Sequence, residues 1–259
     1  MKRGDGLYIS FLFLSFIITL LLFLPIISLL VSTTPKQYLN GLLDKEVTTA
    51  IFLSIFTAAI ATLLANVLGI PLAYILARKD FPFKDVLESL VDLPILIPHT
   101  VAGIALLTVF GPRAPIGSLA KVMGLYFTNT IFGIIIAQFF VSAPLLINTV
   151  KEVLLKIDEG YIKAARSLGA RPFNVFWDIE VQLIKKGIIT GSILCWARAI
   201  SEFGAVIILA YYPYTAPVLV YIRFETSGLG ASLSVASLLL VITLLIFFVL
   251  KYIQRKGRI

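Results

Sequence analysis

Among 259 residues the chain has one cysteine, Cys195, and one histidine, His99. A single thiol forms no intrachain disulfide, and one thiol with one imidazole makes no metal cluster of the usual Cys/His kind. The same scarcity argues against a membrane-embedded enzyme, which needs Ser, His, Asp or metal ligands converging within the spans. Cys195 sits in an apolar run and reads as a small buried residue. Charge is scarce as well. Only 14% of residues are Asp, Glu, Lys or Arg, against about 25% in soluble domains. A glycine-rich phosphate loop ending in Gly-Lys-Ser or Gly-Lys-Thr is absent, so the chain is not itself an ATPase.

What is present in excess is apolar surface: 59% hydrophobic residues and a mean hydropathy of +1.00. That excludes a soluble catalyst with one buried core, and also disorder, which needs low hydrophobicity and high charge. A helix needs about 20 residues to cross the hydrocarbon of a bilayer. Runs almost free of charge occupy 7–35, 47–77, 93–112, 122–150, 187–222 and 226–250, and only the fifth carries charges, Arg198 and Glu202. The first run is too long for a signal-peptide core and no small-x-small cleavage site follows it. Six spans result. They are much longer than barrel strands and do not alternate, so they must be helices, which satisfy their own backbone groups in lipid. The expected fold class is therefore all-α and polytopic.

An even number of spans places both termini on one side. With the N-terminus inside, the inner segments carry sixteen Lys and Arg and the outer segments five, with Arg198 inside a span. Basic residues collect on the cytoplasmic side, so both ends and the loop 151–186 are expected there. Three parts follow: 1–46, a first span and outer loop; 47–250, the core with the cytoplasmic loop; and 251–259, a short basic tail.

Two stretches within the spans break the apolar pattern. In Asp92–Gly103, Pro94 and Pro98 precede His99 and Thr100. Each proline removes a backbone donor. The prolines either open a helix at the inner interface or mark irregular backbone lining a cavity. In Trp196–Ala205, Arg198 and Glu202 stand four apart and can pair on one helix face. Intramembrane charges face the bundle interior or a water-filled cavity. The pair is either a structural tie or a border of the path, and Gly204 and Ala205 allow close helix contact.

The loop 151–186 carries seven basic and five acidic residues. That is too balanced for a nucleic-acid site. It reads as two short helices. Asp158 caps the first and Glu159 complements its dipole. Tyr161, Ile162, Ala165 and Leu168 form an apolar face, with Lys163 and Arg166 pointing away. Gly169 suits the position just past the helix end, and Pro172 the first turn of the next. Phe173, Phe176 and Trp177 then form an aromatic face. Periodicity leaves open whether this helix lies on lipid or in a groove of a cytoplasmic partner.

The stretch Tyr161-Ile162-Lys163-Ala164-Ala165-Arg166-Ser167-Leu168-Gly169, followed after nine residues by Ile179, resembles the Glu-Ala-Ala…Gly…Ile-x-Leu-Pro signature of permease subunits of prokaryotic ATP-binding-cassette importers. Ala164, Ala165, Gly169 and Ile179 match it. Lys163 replaces the family's Glu, Val181 its Leu and Gln182 its Pro. The stretches around Pro98 and around Arg198, with Ala210-Tyr211-Tyr212-Pro213, make residues 7–252 similar to archaeal molybdate/tungstate permeases and, more distantly, to sulfate permeases.

The resemblance implies a type I importer permease in the cell membrane, working as a homodimer with two cytoplasmic ATPase subunits and an external oxyanion-binding protein. ATP and Mg would be held by the ATPases, with no cofactor on this chain. It implies that Tyr161, Lys163, Ala164, Ala165, Ser167, Leu168, Gly169, Pro172 and Ile179 belong to an ATPase-coupling segment, with an acid on the partner answering Lys163. Pro98, His99, Thr100, Arg198, Ser201, Glu202, Phe203 and Gly204 are the candidates for the translocation path or gate. The rival reading is a secondary transporter driven by an ion gradient. It predicts internal repeats and several intramembrane acids, whereas no repeat is evident and Glu202 stands alone.

Overall fold

The computed structural model describes residues 5–256. Lys2, Arg3 and Arg258, which contribute to the inner charge tally, and the end of the 251–259 tail lie outside the described residues. The regular structure of the described residues is all helical, with no strand among them. The helices are α1 (Asp5–Ser32), α2 (Pro35–Leu43), α3 (Lys45–Arg78), α4 (Lys84–Leu96), α5 (His99–Phe110), α6 (Pro115–Val122), α7 (Ile131–Leu155), α8 (Glu159–Ser167), α9 (Pro172–Asn174), α10 (Val181–Ile200), α11 (Gly204–Leu209), α12 (Ala216–Ser227) and α13 (Leu229–Lys256); a π-helical segment, Val175–Glu180, joins α9 to α10.

Helices α3, α7 and α10 form the centre. Their contact faces are built from small side chains: Ala58, Ala61, Ala65 and Ala73 of α3 are fully buried. A Cβ on Gly187 would lie 2.8 Å from Val153, and one on Gly191 3.3 Å from the Leu146 backbone. Without a hydrophobic drive between helices in lipid, this close approach supplies the van der Waals packing that holds spans together. Small polar groups interlock the three. Ser192 donates to Asn66 at 3.0 Å, and Cys195, fully buried as expected, donates to Ser142 at 3.3 Å. Helices α5 and α11 complete a second cluster with α7 around Leu106, Ile134 and Val206. Helices α2, α12 and α13 gather around the start of α3. Helix α1 is almost wholly exposed, as a helix facing lipid or another chain would be, and Thr33 bonds Ser237 at 2.6 Å to tie its outer end to α13.

Four helices (α1, α3, α7 and α13) are long and apolar enough to span a membrane, and five spans result if α4 with α5 counts as one. The sixth crossing is α10. It runs antiparallel to α7, with Gly187 against Val153 near the inner end and Ala199 clustered with Ile135 farther out. Its twenty residues reach about 30 Å, but Lys185, Lys186 and Arg198 keep it from reading as an apolar span.

The expected boundaries need correction at several places. The run 93–112 is not one helix: α4 and α5 meet at 116° across Ile97 and Pro98. Pro98 is the residue before α5, where its missing N–H costs nothing, while Pro94 is buried in the last turn of α4. Asp85, Glu88 and Asp92 lie on one face of α4; Glu88 pairs with Lys151 at 3.0 Å and Asp92 accepts from Asn148 at 2.6 Å. Both partners are on α7, so α4 is pinned across its inner part. The run 187–222 is likewise interrupted, at 201–203 and again at 210–215, where Tyr212–Pro213 is cis. The fourth run begins at Ile131, with Thr130 as its cap accepting from Gly133, rather than at 122. The outer loop after α1 is helical, because Thr34 and Gln37 form a reciprocal capping box before Pro35 opens α2. Helix α13 runs on into the basic tail as far as Lys256.

Candidate coupling surface and gate

The inner surface is built on α8. Asp158 caps it, its carboxylate accepting from the Gly160 N–H at 2.8 Å, and Glu159 follows in the first turn. The helix stops at Gly169, whose φ is +87°; the Ala170 N–H donates back to the Ala165 carbonyl at 3.1 Å and the Gly169 N–H to that of Arg166 at 3.0 Å. This reversal requires the left-handed backbone that glycine adopts at no steric cost. Pro172 opens α9, Val175 and Glu180 are buried, and Ile179 is half-buried. Phe176 packs edge-on against Tyr74 of α3 at 5.2 Å, whereas Phe173 and Trp177 remain exposed.

The orientation of α8 differs from the expected apolar face. Ile162 and Ala165 turn toward the bundle, while Tyr161 (61% exposed) and Leu168 (88%) turn away from it, with exposed Ala164 between them. Lys163, its side chain 76% exposed, and Arg166 point to solvent as expected, and with Glu159 and Ile162 they edge an open hollow against Tyr74 and Arg78 of α3 and Lys79, which caps it. Lys163 has an acid within its own helix, pairing with Glu159 at 3.1 Å. Ser167 is exposed and its hydroxyl donates to the Lys163 carbonyl.

The second constellation unites two stretches that are about a hundred residues apart. Helix α10 ends at Ile200, Ser201 caps it, and the chain turns through Glu202 and Phe203 into α11. Arg198 Nη2 donates to Glu202 Oε2 at 2.6 Å, and the other carboxylate oxygen accepts from the Ala205 N–H at 2.8 Å. The same Arg198 nitrogen lies 2.6 Å from His99 Nε2 and 3.2 Å from Nδ1. Because the guanidinium can only donate, the imidazole nitrogen facing it accepts. His99 Nδ1 is also 3.8 Å from Glu202. Gly204 makes this approach possible, since a Cβ there would stand 2.7 Å from His99 Cβ. Glu202 is 1% exposed, Arg198 25% and His99 41% by side chain. Pro98, Thr100 and Ser201 are exposed, and Phe203 is half-buried against Tyr221, ring centres 5.1 Å apart.

The i to i+4 pairing of Arg198 with Glu202 was readable from spacing. The third member, His99, was not, because nothing local ties it to residue 198. Also unread were the ion pair of Arg78 with buried Glu180 at 3.0 Å and that of Arg223 with Asp44 and Glu46 at 2.7 and 2.8 Å. Their only sequence signal was an opposite charge near a span end. At Asp44, burial pushes the carboxyl up, but the Arg223 guanidinium and the backbone N–H groups of Glu46 and Val47 outweigh it and hold it below the ordinary value of 3.8.

The chain is thus a bundle of long apolar helices with a short amphipathic helix, α8, lying against its inner end without a buried residue. That is the build of a transport permease of the cell membrane. Residues 69–259 match the family of binding-protein-dependent transport system inner membrane components, and the chain belongs to that family. It is 40% identical over 260 residues, covering both chains fully, to the molybdate/tungstate transport system permease protein WtpB of Methanocaldococcus jannaschii. It is 35% identical to WtpB of Pyrococcus furiosus over 100% of this chain and 99% of that one. A probable sulfate transport system permease protein of Chlorokybus atmophyticus is 32% identical over 92% of this chain and 86% of its own length. The fold is that of ATP-binding-cassette importer permeases: a chain of a bacterial transporter involved in the import of the polysaccharide alginate superposes with a TM-score of 0.78 at 16% identity, over 99% of this chain and 98% of that one. Membership in the family supports the importer reading over the ion-gradient-driven alternative.

Proposed function

We propose that this chain is the membrane-spanning permease subunit of an ATP-driven importer of molybdate and tungstate, acting as a pair with two cytoplasmic ATPases and an external binding protein. The observation that carries this reading is full-length similarity, at 35–40% identity, to permeases named for those two oxyanions. ATP and Mg belong to the partner ATPases, and the binding protein selects the anion.

In this reading α8 is the coupling helix. Its outward stripe of Tyr161, Ala164 and Leu168, at i, i+3 and i+7, presents apolar area to a groove on the ATPase. Gly169 and Pro172 fix the turn that follows, and the π-helical segment leading into α10, which carries Ile179, is anchored by buried Val175 and Glu180. Movement of α8 is thereby passed to α10, which ends at Arg198, Ser201 and Glu202. The gate is the junction of the α5 start (Pro98, His99, Thr100) with the turn before α11 (Ser201, Glu202, Phe203, Gly204). Closure of the ATPase pair shifts the equilibrium between inward- and outward-open states by its differential affinity for the two.

The test is reconstitution. The chain, co-expressed with the cognate ATPase and placed in liposomes, is expected to hydrolyse ATP faster when the molybdate-loaded binding protein is added outside and to accumulate molybdate or tungstate. Uptake by the permease alone under an ion gradient, or hydrolysis indifferent to the binding protein, would overturn the reading.

A further inference from the structure

The hollow between α8 and the inner end of α3 has a volume of about 170 Å³ and is lined by Tyr74, Arg78, Lys79, Glu159, Ile162, Lys163 and Arg166. We infer that it is a binding site for a tetrahedral oxyanion, which bridges α3 to the coupling helix.

Four of the seven lining residues are cationic and one is acidic. Glu159 is engaged by Lys163 at 3.1 Å, and Glu180, behind the wall, takes Nε of Arg78 at 3.0 Å. These two carboxylates leave the lining with a net charge of +2. The Arg78 side chain is nine-tenths buried, and its Nη2 has no hydrogen-bond partner. That nitrogen is closed off from the hollow, so the donors that reach the hollow are those of Lys79 and Arg166, exposed on its opposite walls, and an oxyanion supplies acceptor oxygens that satisfy guanidinium and ammonium donors. The volume far exceeds the ~10–15 Å³ that one water requires, so an anion fits with part of its hydration.

Placement argues against a protein side chain as the occupant. On α8 the residues facing the hollow are 159, 162, 163 and 166, and those turned outward are 161, 164 and 168. At about 100° per residue the two sets lie on opposite sides of the helix. A partner seated on the outward stripe therefore leaves the hollow behind it, between α8 and the bundle. No residue of α8 is buried, so few packing contacts hold this helix to α3. An anion shared by Lys79 on one side and Arg166 on the other would be the bond that ties them. The ligand class follows from the lining alone; the consequence for coupling rests on the role of α8 proposed above.

The experiment follows hydrogen exchange of residues 159–167 in the nucleotide-free permease–ATPase complex in detergent. Sodium phosphate, molybdate or tungstate is added at ionic strength matched with sodium chloride. At an anion concentration ten times its dissociation constant, exchange of α8 is expected to slow about tenfold, and Arg166→Gln and Lys79→Gln are each expected to abolish the effect. Saturation by molybdate or tungstate well below the phosphate level identifies the imported anion as occupant, and the reverse order identifies phosphate. Equal protection by chloride, protection that survives both substitutions, or an α8 already maximally protected without added anion because a partner carboxylate fills the hollow would each overturn the proposal. The readout does not require transport, so loss of anion protection and loss of uptake are separate outcomes.

Discussion

Removing Arg198 tests what holds the turn between α10 and α11. Glu202 is 1% exposed and makes two bonds, from Arg198 at 2.6 Å and from the Ala205 N–H at 2.8 Å. In Arg198→Ala the carboxylate keeps one neutral donor and loses its counter-charge while still buried. Breaking a buried ion pair from one side costs about 3–5 kcal/mol. For a chain of this size each kcal/mol corresponds to roughly 2–4 °C, so the melting temperature of the detergent-solubilised complex is expected to fall by about 10 °C. The penalty comes from the stranded charge rather than from a lost contact, so Glu202→Gln in the same background should restore most of it. Glutamine keeps an acceptor for Ala205 and carries no charge. A fall of less than about 2 °C in Arg198→Ala, or no recovery in the double variant, would refute this account. Transport separates structure from path. If the double variant regains uptake along with its melting temperature, the pair is a tie and does not border the route.

The other expectations concern uptake, backbone and pH. Glu202→Gln alone leaves Arg198 uncompensated at the proposed gate and is expected to lower both KM and kcat for uptake, as an anion binds longer and leaves more slowly; a raised KM would contradict it. A Cβ on Gly169 would touch nothing within 4 Å, so Gly169→Ala should cost about 1–2 kcal/mol through its left-handed backbone alone. It is expected to depress binding-protein-stimulated ATP hydrolysis while circular dichroism stays unchanged, with Gly169→Asn milder; normal coupling in Gly169→Ala would remove the role assigned to this turn. Gly204→Ala should cost about 1–3 kcal/mol by driving a Cβ into His99, read as a lower melting temperature, and an unchanged one would show that α5 moves aside freely. Asp44 has a folded pKa below its ordinary 3.8. Its contribution is therefore complete above that value and lost as pH falls through the lowered one. The gap in melting temperature between wild type and Asp44→Asn should be constant near neutrality and close in acid; a gap that persists to the lowest pH would contradict the pairing with Arg223.

What the sequence made legible was set by how local the cause is. Helices α1, α3, α7 and α13 announce themselves because a charge-free run is a property of consecutive residues. The cap at Asp158 and the stop at Gly169 are equally local. The break at 201–203 is not, since Ser201, Glu202 and Phe203 are all tolerated in helices. The chain leaves α10 there because Glu202 turns to accept from Ala205 and Gly204 seats against His99, a residue from another span. The face of α8 failed for a related reason. Its pattern gave a two-sided helix but held no information on which side the bundle lies. That depends on Tyr74, Arg78 and Lys79 at the end of α3.

A glutamate within the spans is a poor neighbour for a dianion, which speaks against Glu202 as a direct ligand. Burial order agrees. Both carboxylate oxygens are engaged, and the carboxylate is the most deeply buried of the three groups, behind Arg198 at 25% and His99 at 41% exposure. Groups that reach open space at this junction are thus a guanidinium and an imidazole. The acid behind them reduces the net charge of the guanidinium–carboxylate pair to zero. A bare arginine would hold a dianion tightly, and a bare glutamate would exclude it. On the gate role proposed for this junction, a cation masked from behind does neither, which meets the condition for conduction: binding favourable enough to enter and weak enough to leave. The same carboxylate starts α11 by accepting from Ala205, so the group that tunes the charge also sets where α10 ends and the turn into α11 begins.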